Sequence, residues 1–194
     1  MPSTKGYRLH YTLGEYLLDL VQNSIEADAQ LISLEIVEEQ STTGGTTIRV
    51  VLQDDGKGMD RDVLARVLDP FYTDGVKHPG RSVGLGLPFL KQMVESVDGT
   101  FHIESVPAEG TRLEFSFPGG HVDAPPKDGI TDSLQRLFCF DGDYELHVVR
   151  RGFDSGYILQ RSELKDVLGD LETVGSQSLL AEYISSQEES LDTQ

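Results

Sequence analysis

Two carboxylates, four glycines and one amide, spread over the first half of the chain, have the types and spacing to do chemistry. Asp55 closes a run rich in β-branched residues and is followed by Gly56-Lys57-Gly58-Met59. Glycines at such a turn let a flat ligand approach the backbone with no Cβ in the way. A carboxylate beside them can accept a hydrogen bond from an exocyclic amine, and a charge-assisted bond of that kind separates adenine from guanine. The same run, taken alone, also reads as a plain turn after a strand. Gly84-Leu85-Gly86-Leu87 stands just before a helical pattern. Free N–H groups at a helix start, aided by the helix dipole, attract an anion such as phosphate. An ordinary glycine-rich loop is the alternative; the Gly-Lys-Ser/Thr ending of a Walker loop is absent. Asn23 offers an amide oxygen of the kind that completes the shell of Mg²⁺. Asp19, one turn earlier, could orient or deprotonate a water or a hydroxyl. A solvated helix face of Asp19, Asn23 and Glu26 is the alternative. Taken in order, the set describes a pocket that holds a nucleotide by its base, its phosphates and its metal.

The elements that must position these residues follow from periodicity. Leu13, Leu17, Leu20, Val21 and Ile25 recur at helical spacing and predict a helix over 13–27, with Glu15, Asp19, Asn23 and Glu26 on its other face. Residues 31–37 and 46–53 read as strands joined through Thr42-Thr43-Gly44-Gly45, a hairpin. Asp60 reads as the N-cap of a helix carrying Val63, Leu64, Val67 and Leu68. Residues 69–83, broken by Pro70, Gly75, Pro79 and Gly80, form a loop of the length a cover over a site needs. A helix after Gly86 and strands over 100–105 and 111–117 complete a unit spanning 1–120. Ala124-Pro125-Pro126-Lys127-Asp128-Gly129 reads as a linker into a small appendage, 121–194. There the apolar runs 134–140 and 144–150, split by Asp141-Gly142-Asp143, predict a second hairpin. Ser162 is expected to cap a helix reaching Leu171, and 178–186 to form another.

Composition sets the outer bounds. A hydrophobic share of 38% over 194 residues is enough for a sizeable core. No apolar run approaches membrane-spanning length and no signal pattern opens the chain, so a cytoplasmic protein without membrane contact is expected. The lone Cys139 cannot form an internal disulfide, which fits that expectation. A formal charge of −17 argues against broad contact with nucleic acid. No Lys or Arg follows Lys165, which leaves the far end acidic and prone to fray.

The ordered motifs resemble those of the GHKL (Bergerat-fold) ATPase superfamily, whose members include gyrase B subunits, MutL-type repair proteins, sensor histidine kinases and anti-sigma serine kinases. Residues 17–29, with Asn23-Ser24-Ile25-Glu26-Ala27, resemble its first ATP-binding motif, with a MutL-like flavour. Asp54-Asp55-Gly56-Lys57-Gly58-Met59 resembles the adenine box, Asp69-Pro70-Phe71-Tyr72-Thr73 the phenylalanine box of histidine kinases, and Gly84-Leu85-Gly86-Leu87 their second glycine box. Gly110-Thr111-Arg112-Leu113-Glu114-Phe115 resembles their last strand. The histidine-kinase-like ATPase domains are the nearest part of the superfamily.

That resemblance implies an α/β fold, an α+β two-layer sandwich: a mixed, mostly antiparallel sheet with helices on one face and ATP between helices and lid. It implies Asp55 on the adenine amine with Thr111 in support, Asn23 on Mg²⁺, and Gly58, Met59, Thr73, Gly84, Leu85, Gly86 and Leu87 around the nucleotide. Lid residues Lys77, His78 and Arg81 could reach phosphate, although no motif assigns them; solvated loop charges are the alternative. Two departures stand out. Hydrolytic and serine-kinase members usually carry Glu where Asp19 stands, one methylene longer. The His-centred dimerisation segment of a sensor kinase is not found before the first helix, and His10 lacks its context. The expected function is therefore that of a stand-alone Mg-ATP-binding kinase module, passing the γ-phosphate to a separate protein partner in signalling, with Asp19 as base if the acceptor is a hydroxyl; a histidine acceptor would need less help. The alternatives are an ATP-driven conformational switch with slow hydrolysis, acting through a homodimer as MutL-like and gyrase-like relatives do, and a nucleotide sensor without turnover. The expected partners are ATP or ADP and a protein that accepts phosphate or is regulated.

Overall fold

Period-two burial organises the sheet. In β1 (Leu31–Gln40) the side chains of Ile32, Leu34 and Ile36 are buried, and in β2 (Thr46–Asp54) those of Ile48, Val50 and Leu52. The two strands pair antiparallel, Ile32 opposite Asp54 and Gln40 opposite Thr46, which is the first hairpin expected. β4 (Gly110–Pro118) pairs antiparallel with β2, and β3 (Thr100–Val106) with β4. The computed structural model describes residues 11–41, 44–69 and 86–192.

Six helices are described: α1 (Leu13–Glu26), α2 (Arg61–Val67), α3 (Gly86–Ser96), α4 (Ile130–Phe138), α5 (Arg161–Leu168) and α6 (Val174–Asp192). Thr12 and Glu15 form a capping box at the start of α1: Glu15 N–H donates to Thr12 Oγ1 at 3.2 Å, and Thr12 N–H to Glu15 Oε2 at 2.7 Å. Asp60 caps α2 as predicted, its Oδ1 accepting from Val63 N–H at 2.8 Å. Leu17 and Val21 of α1, Leu90 and Val94 of α3, Leu134 and Phe138 of α4, and Leu180 and Ile184 of α6 form one core with the inner face of the sheet. The outer face is mixed: Val51, Val149 and Ile158 share a row with Glu35 and Glu114, and Arg112 donates to Glu114 at 2.9 Å.

Residues beyond 121 extend this same sheet. β5 (Glu145–Arg151) lies parallel to β1, with Ile32 beside Leu146, and β6 (Gly156–Gln160) pairs antiparallel with β5. The strand order is β3-β4-β2-β1-β5-β6. Sheet and core both run across the 120/121 boundary read from the sequence. The second hairpin, however, is not where the sequence predicts it. Residues 134–138 lie in α4, because Ile130, Leu134, Leu137 and Phe138 recur at steps of three and four and are buried together. Asp141-Gly142-Asp143 thus leads from a helix into β5, and the hairpin is β5–β6. Ser162 lies inside α5 instead of capping it, and that helix ends before Gly169, whose φ of +76° leaves the helical region. The helix expected over 178–186 is longer, reaching Asp192.

A buried ionic cluster ties α6 to the sheet. Arg150, 3% exposed, donates to Glu38 of β1 and, at 3.2 Å, to Glu188 of α6. Lys127 also donates to Glu38, at 2.7 Å, and Tyr157 O–H to Glu188. Burial alone would raise the Glu38 carboxyl; the hydrogen bonds from Lys127 and Arg150 outweigh it and hold the group below its ordinary 4.5. Glu188, read from the sequence as part of a loose acidic end, is thus a structural anchor.

Candidate functional site

The end of β2 is strapped on two sides. Lys57 N–H donates to Ala27 O at 2.8 Å, at the end of α1, and Ala108 N–H donates to Lys57 O at 2.8 Å, from the β3–β4 turn. Met59 N–H reaches Ser105 Oγ of β3 at 2.8 Å. Gly58 has φ +59°, and a Cβ there would stand 2.0 Å from Val106 O, so only glycine fits this crossing. The strapped loop forms one wall of a cavity of about 530 Å³, whose other walls are α1 and the start of α3.

Asp54 lines this cavity and Asp55 does not. Inward residues of β2 fall on even numbers, Ile48, Val50 and Leu52, so Asp54 is the next in line. The residue is 6% exposed; its carboxylate Oδ2 accepts from Ser24 Oγ of α1 at 2.8 Å, and Oδ1 from Gly56 N–H at 3.0 Å. Thr111, opposite Asp54 in the β2–β4 register, lines the cavity too and shares a 2.9 Å hydroxyl contact with Ser105. Asp55 is exposed and serves as a backbone clamp. Its Oδ1 accepts from Gln30 N–H at 2.7 Å and Leu31 N–H at 2.9 Å, fixing the α1–β1 turn. The role assigned to Asp55 from the sequence therefore does not fit its position, since the outward parity of β2 carries it away from the pocket.

The other end of the cavity is made by α1 and α3. Asp19 and Asn23 line it from the exposed face of α1, and Gly86 and Leu87 from the first turn of α3. The two helices come close here: a Cβ on Gly86 would lie 3.1 Å from Asp19 Oδ2. The structure thus gathers Asp19, Asn23, Gly58, Met59, Gly86, Leu87 and Thr111 around one space. Thr73, Gly84 and Leu85, with Lys77, His78 and Arg81, lie outside the described residues. Among the described residues no group of three or more His, Cys, Asp or Glu could hold a metal. A metal here would rest on an amide oxygen such as that of Asn23 plus oxygens of its ligand, a set that suits Mg²⁺.

The family model for histidine kinase-, DNA gyrase B- and HSP90-like ATPases matches residues 10–121, which include every element that walls this cavity. The chain belongs to this family. Over 108 residues it is 30% identical to Sporulation kinase A of Bacillus subtilis (strain 168), covering 55% of this chain and 16% of that protein. Over 112 residues it is 30% identical to the Non-motile and phage-resistance protein of Caulobacter vibrioides, covering 56% of this chain and 13% of that one. The matched stretch is thus a small part of each of these relatives. The crystal structure of the N-terminal domain of a DNA repair protein superposes with a TM-score of 0.53 at 17% identity, covering 85% of this chain and 58% of that chain. That likeness is one of fold. No helix among the described residues is long and apolar enough to cross a membrane.

Three contributors to this histidine-kinase-like ATPase domain escaped the sequence reading. Asp54 was within the quoted box but one place off, and continuing the alternation Ile48, Val50, Leu52 finds it. Ser24, 2% exposed, sits on the buried stripe of α1 three residues after Val21, where a hydroxyl needs a partner. Ser105 carries no such signal: it meets Gly110 O and Thr111 across the β3–β4 hairpin, and its contact with Met59 N–H exists only once the loop has folded over it.

Proposed function

We propose that this domain binds Mg-ATP in the cavity between α1, α3 and the end of β2, and that it serves phosphotransfer to a protein acceptor in signalling. The observation that carries the reading is the buried Asp54 carboxylate, held by Ser24 and Gly56 on the cavity wall where a purine amine can meet it. Thr111 supports the base beside Asp54. The start of α3 supplies backbone N–H groups for phosphate, and Gly86 keeps that approach open. Asn23 would hold Mg²⁺, which neutralises phosphate charge when bound.

Phosphoryl transfer asks mainly for positioning and electrostatic support. Asp19, beside Gly86, would hold the proton that a hydroxyl acceptor gives up; a histidine acceptor needs less help. The packing also suits a switch: α1 contacts α4, and α4 contacts α6. A shift of the nucleotide-bearing helix would be felt at the far end of the molecule. The experiment is incubation with γ-labelled ATP, alone and with proteins that co-purify. Label in a partner supports phosphotransfer, and its acid lability separates histidine from serine or threonine. Free phosphate alone supports the switch, and binding without either product supports a sensor. Absence of nucleotide binding by calorimetry refutes the proposal.

A further inference from the structure

Tyr11 lines the same cavity as Asp19, Asn23 and Gly86, although it lies ahead of α1 and outside the motifs quoted above. Its ring rests on that of Tyr16, with centroids 5.4 Å apart and planes tilted by 32°. Tyr16 is 6% exposed and belongs to the core, so Tyr11 is carried on a fixed support.

The direction of α1 gives Tyr11 its place along the site. Ser24 touches Asp54, at the end assigned to the base. At about 1.5 Å of rise per residue, Asp19 stands roughly 7.5 Å back along the axis from Ser24. The start of the helix, next to Tyr11, is roughly 16 Å back. Tyr11 therefore enters the cavity from the end farthest from the base. The Tyr16 phenol is pushed up to about 12 by burial first, and then by Tyr11, Glu15 and Asp19. Those groups share one electrostatic neighbourhood, which sets Tyr11 and Asp19 around the same ring.

Given the ATP-binding reading, on which this inference rests, we propose that the Tyr11 hydroxyl binds the terminal phosphate and makes the site prefer a nucleoside triphosphate over a diphosphate. A phenol is a neutral donor with a rigid reach, and a phosphate oxygen is a charged acceptor, a pairing stronger than a neutral hydrogen bond. A diphosphate ends before it reaches this group. Discrimination of this kind makes occupancy follow the ratio of the two nucleotides.

The test is calorimetry on the full chain with Mg²⁺ and either ADP or a non-hydrolysable ATP analogue. Tyr11→Phe keeps the ring on Tyr16 and removes only the hydroxyl. The analogue should then bind roughly tenfold more weakly, as expected for a lost hydrogen bond to a charged group, while ADP should change less than about twofold on the same scale. Equal weakening of both nucleotides, or of neither, overturns the inference and leaves ATP binding in place. A wild-type chain that binds neither nucleotide overturns both. A second measurement needs no variant: nitration of the wild-type chain by tetranitromethane, mapped by mass spectrometry. Protection of Tyr11 by the analogue but not by ADP supports the proposal, and equal modification in the two complexes overturns it.

Discussion

Asp54, the last residue of β2, and Asp55, just beyond it, face opposite ways, and exchanging each for asparagine separates their roles. Asp54→Asn keeps the shape of a residue that is 6% exposed and removes its charge. One carboxylate oxygen faces Ser24 Oγ and the other Gly56 N–H. The amide NH₂ must therefore point at one of these donors or at the purine amine, and each orientation loses a hydrogen bond. A hydrogen bond to a charged group contributes about 1.5–3 kcal/mol, so the affinity for ATP should fall about 10- to 150-fold. Asp55→Asn retains Oδ1, the atom that accepts from Gln30 and Leu31. It should lose about 1 kcal/mol of stability through weaker charge assistance, with affinity within about threefold of wild type. Calorimetry with a non-hydrolysable ATP analogue and Mg²⁺ gives the affinities, and urea unfolding of the apo-protein gives the stabilities. If Asp55→Asn impairs binding more than Asp54→Asn does, the assignment from parity is wrong.

Asn23→Ala should weaken analogue binding in Mg²⁺ by about tenfold and leave the weaker binding in EDTA unchanged; an equal loss in both would remove Asn23 from the metal. Arg150→Ala leaves Glu188 without its cation and Glu38 with Lys127 alone, so urea unfolding should show a loss of about 3 kcal/mol, and a loss below about 1 kcal/mol would contradict the cluster's role. The same cluster sets a pH dependence. Glu38 is held below its ordinary 4.5 in the folded chain, so its contribution is present above that pH and is lost as the pH falls through its folded value. Glu38→Gln should flatten this acid limb of stability, and parallel limbs in the two proteins would count against it.

The first half of the chain was legible because local pattern and tertiary role agree there. Leu17, Val21 and the alternation in β2 each follow one period, and the glycines are needed where the backbone crosses closely. Asp54 was missed by reading the acidic pair as a motif instead of carrying the strand's parity through to its end. In the second half, Leu134, Leu137 and Phe138 form an apolar run too short to tell helix from strand unless Ile130 is counted with them. Asp141-Gly142-Asp143 added a misleading turn signal. The pairing of β5 with β1 could not be read locally, since a parallel neighbour leaves no trace in either strand alone. Glu188 looked solvated because its partners Arg150 and Tyr157 lie 38 and 31 positions away.

The parallel seam between β1 and β5 has a consequence for anyone shortening this protein. Ending the chain at residue 120 would strip β1 of its neighbour from Leu31 to Val37. A bare row of backbone donors and acceptors along β1 would invite strand-to-strand clumping. The β5–β6 hairpin is thus a guard for that seam, and a trimmed core should be sticky where the longer chain stays dispersed.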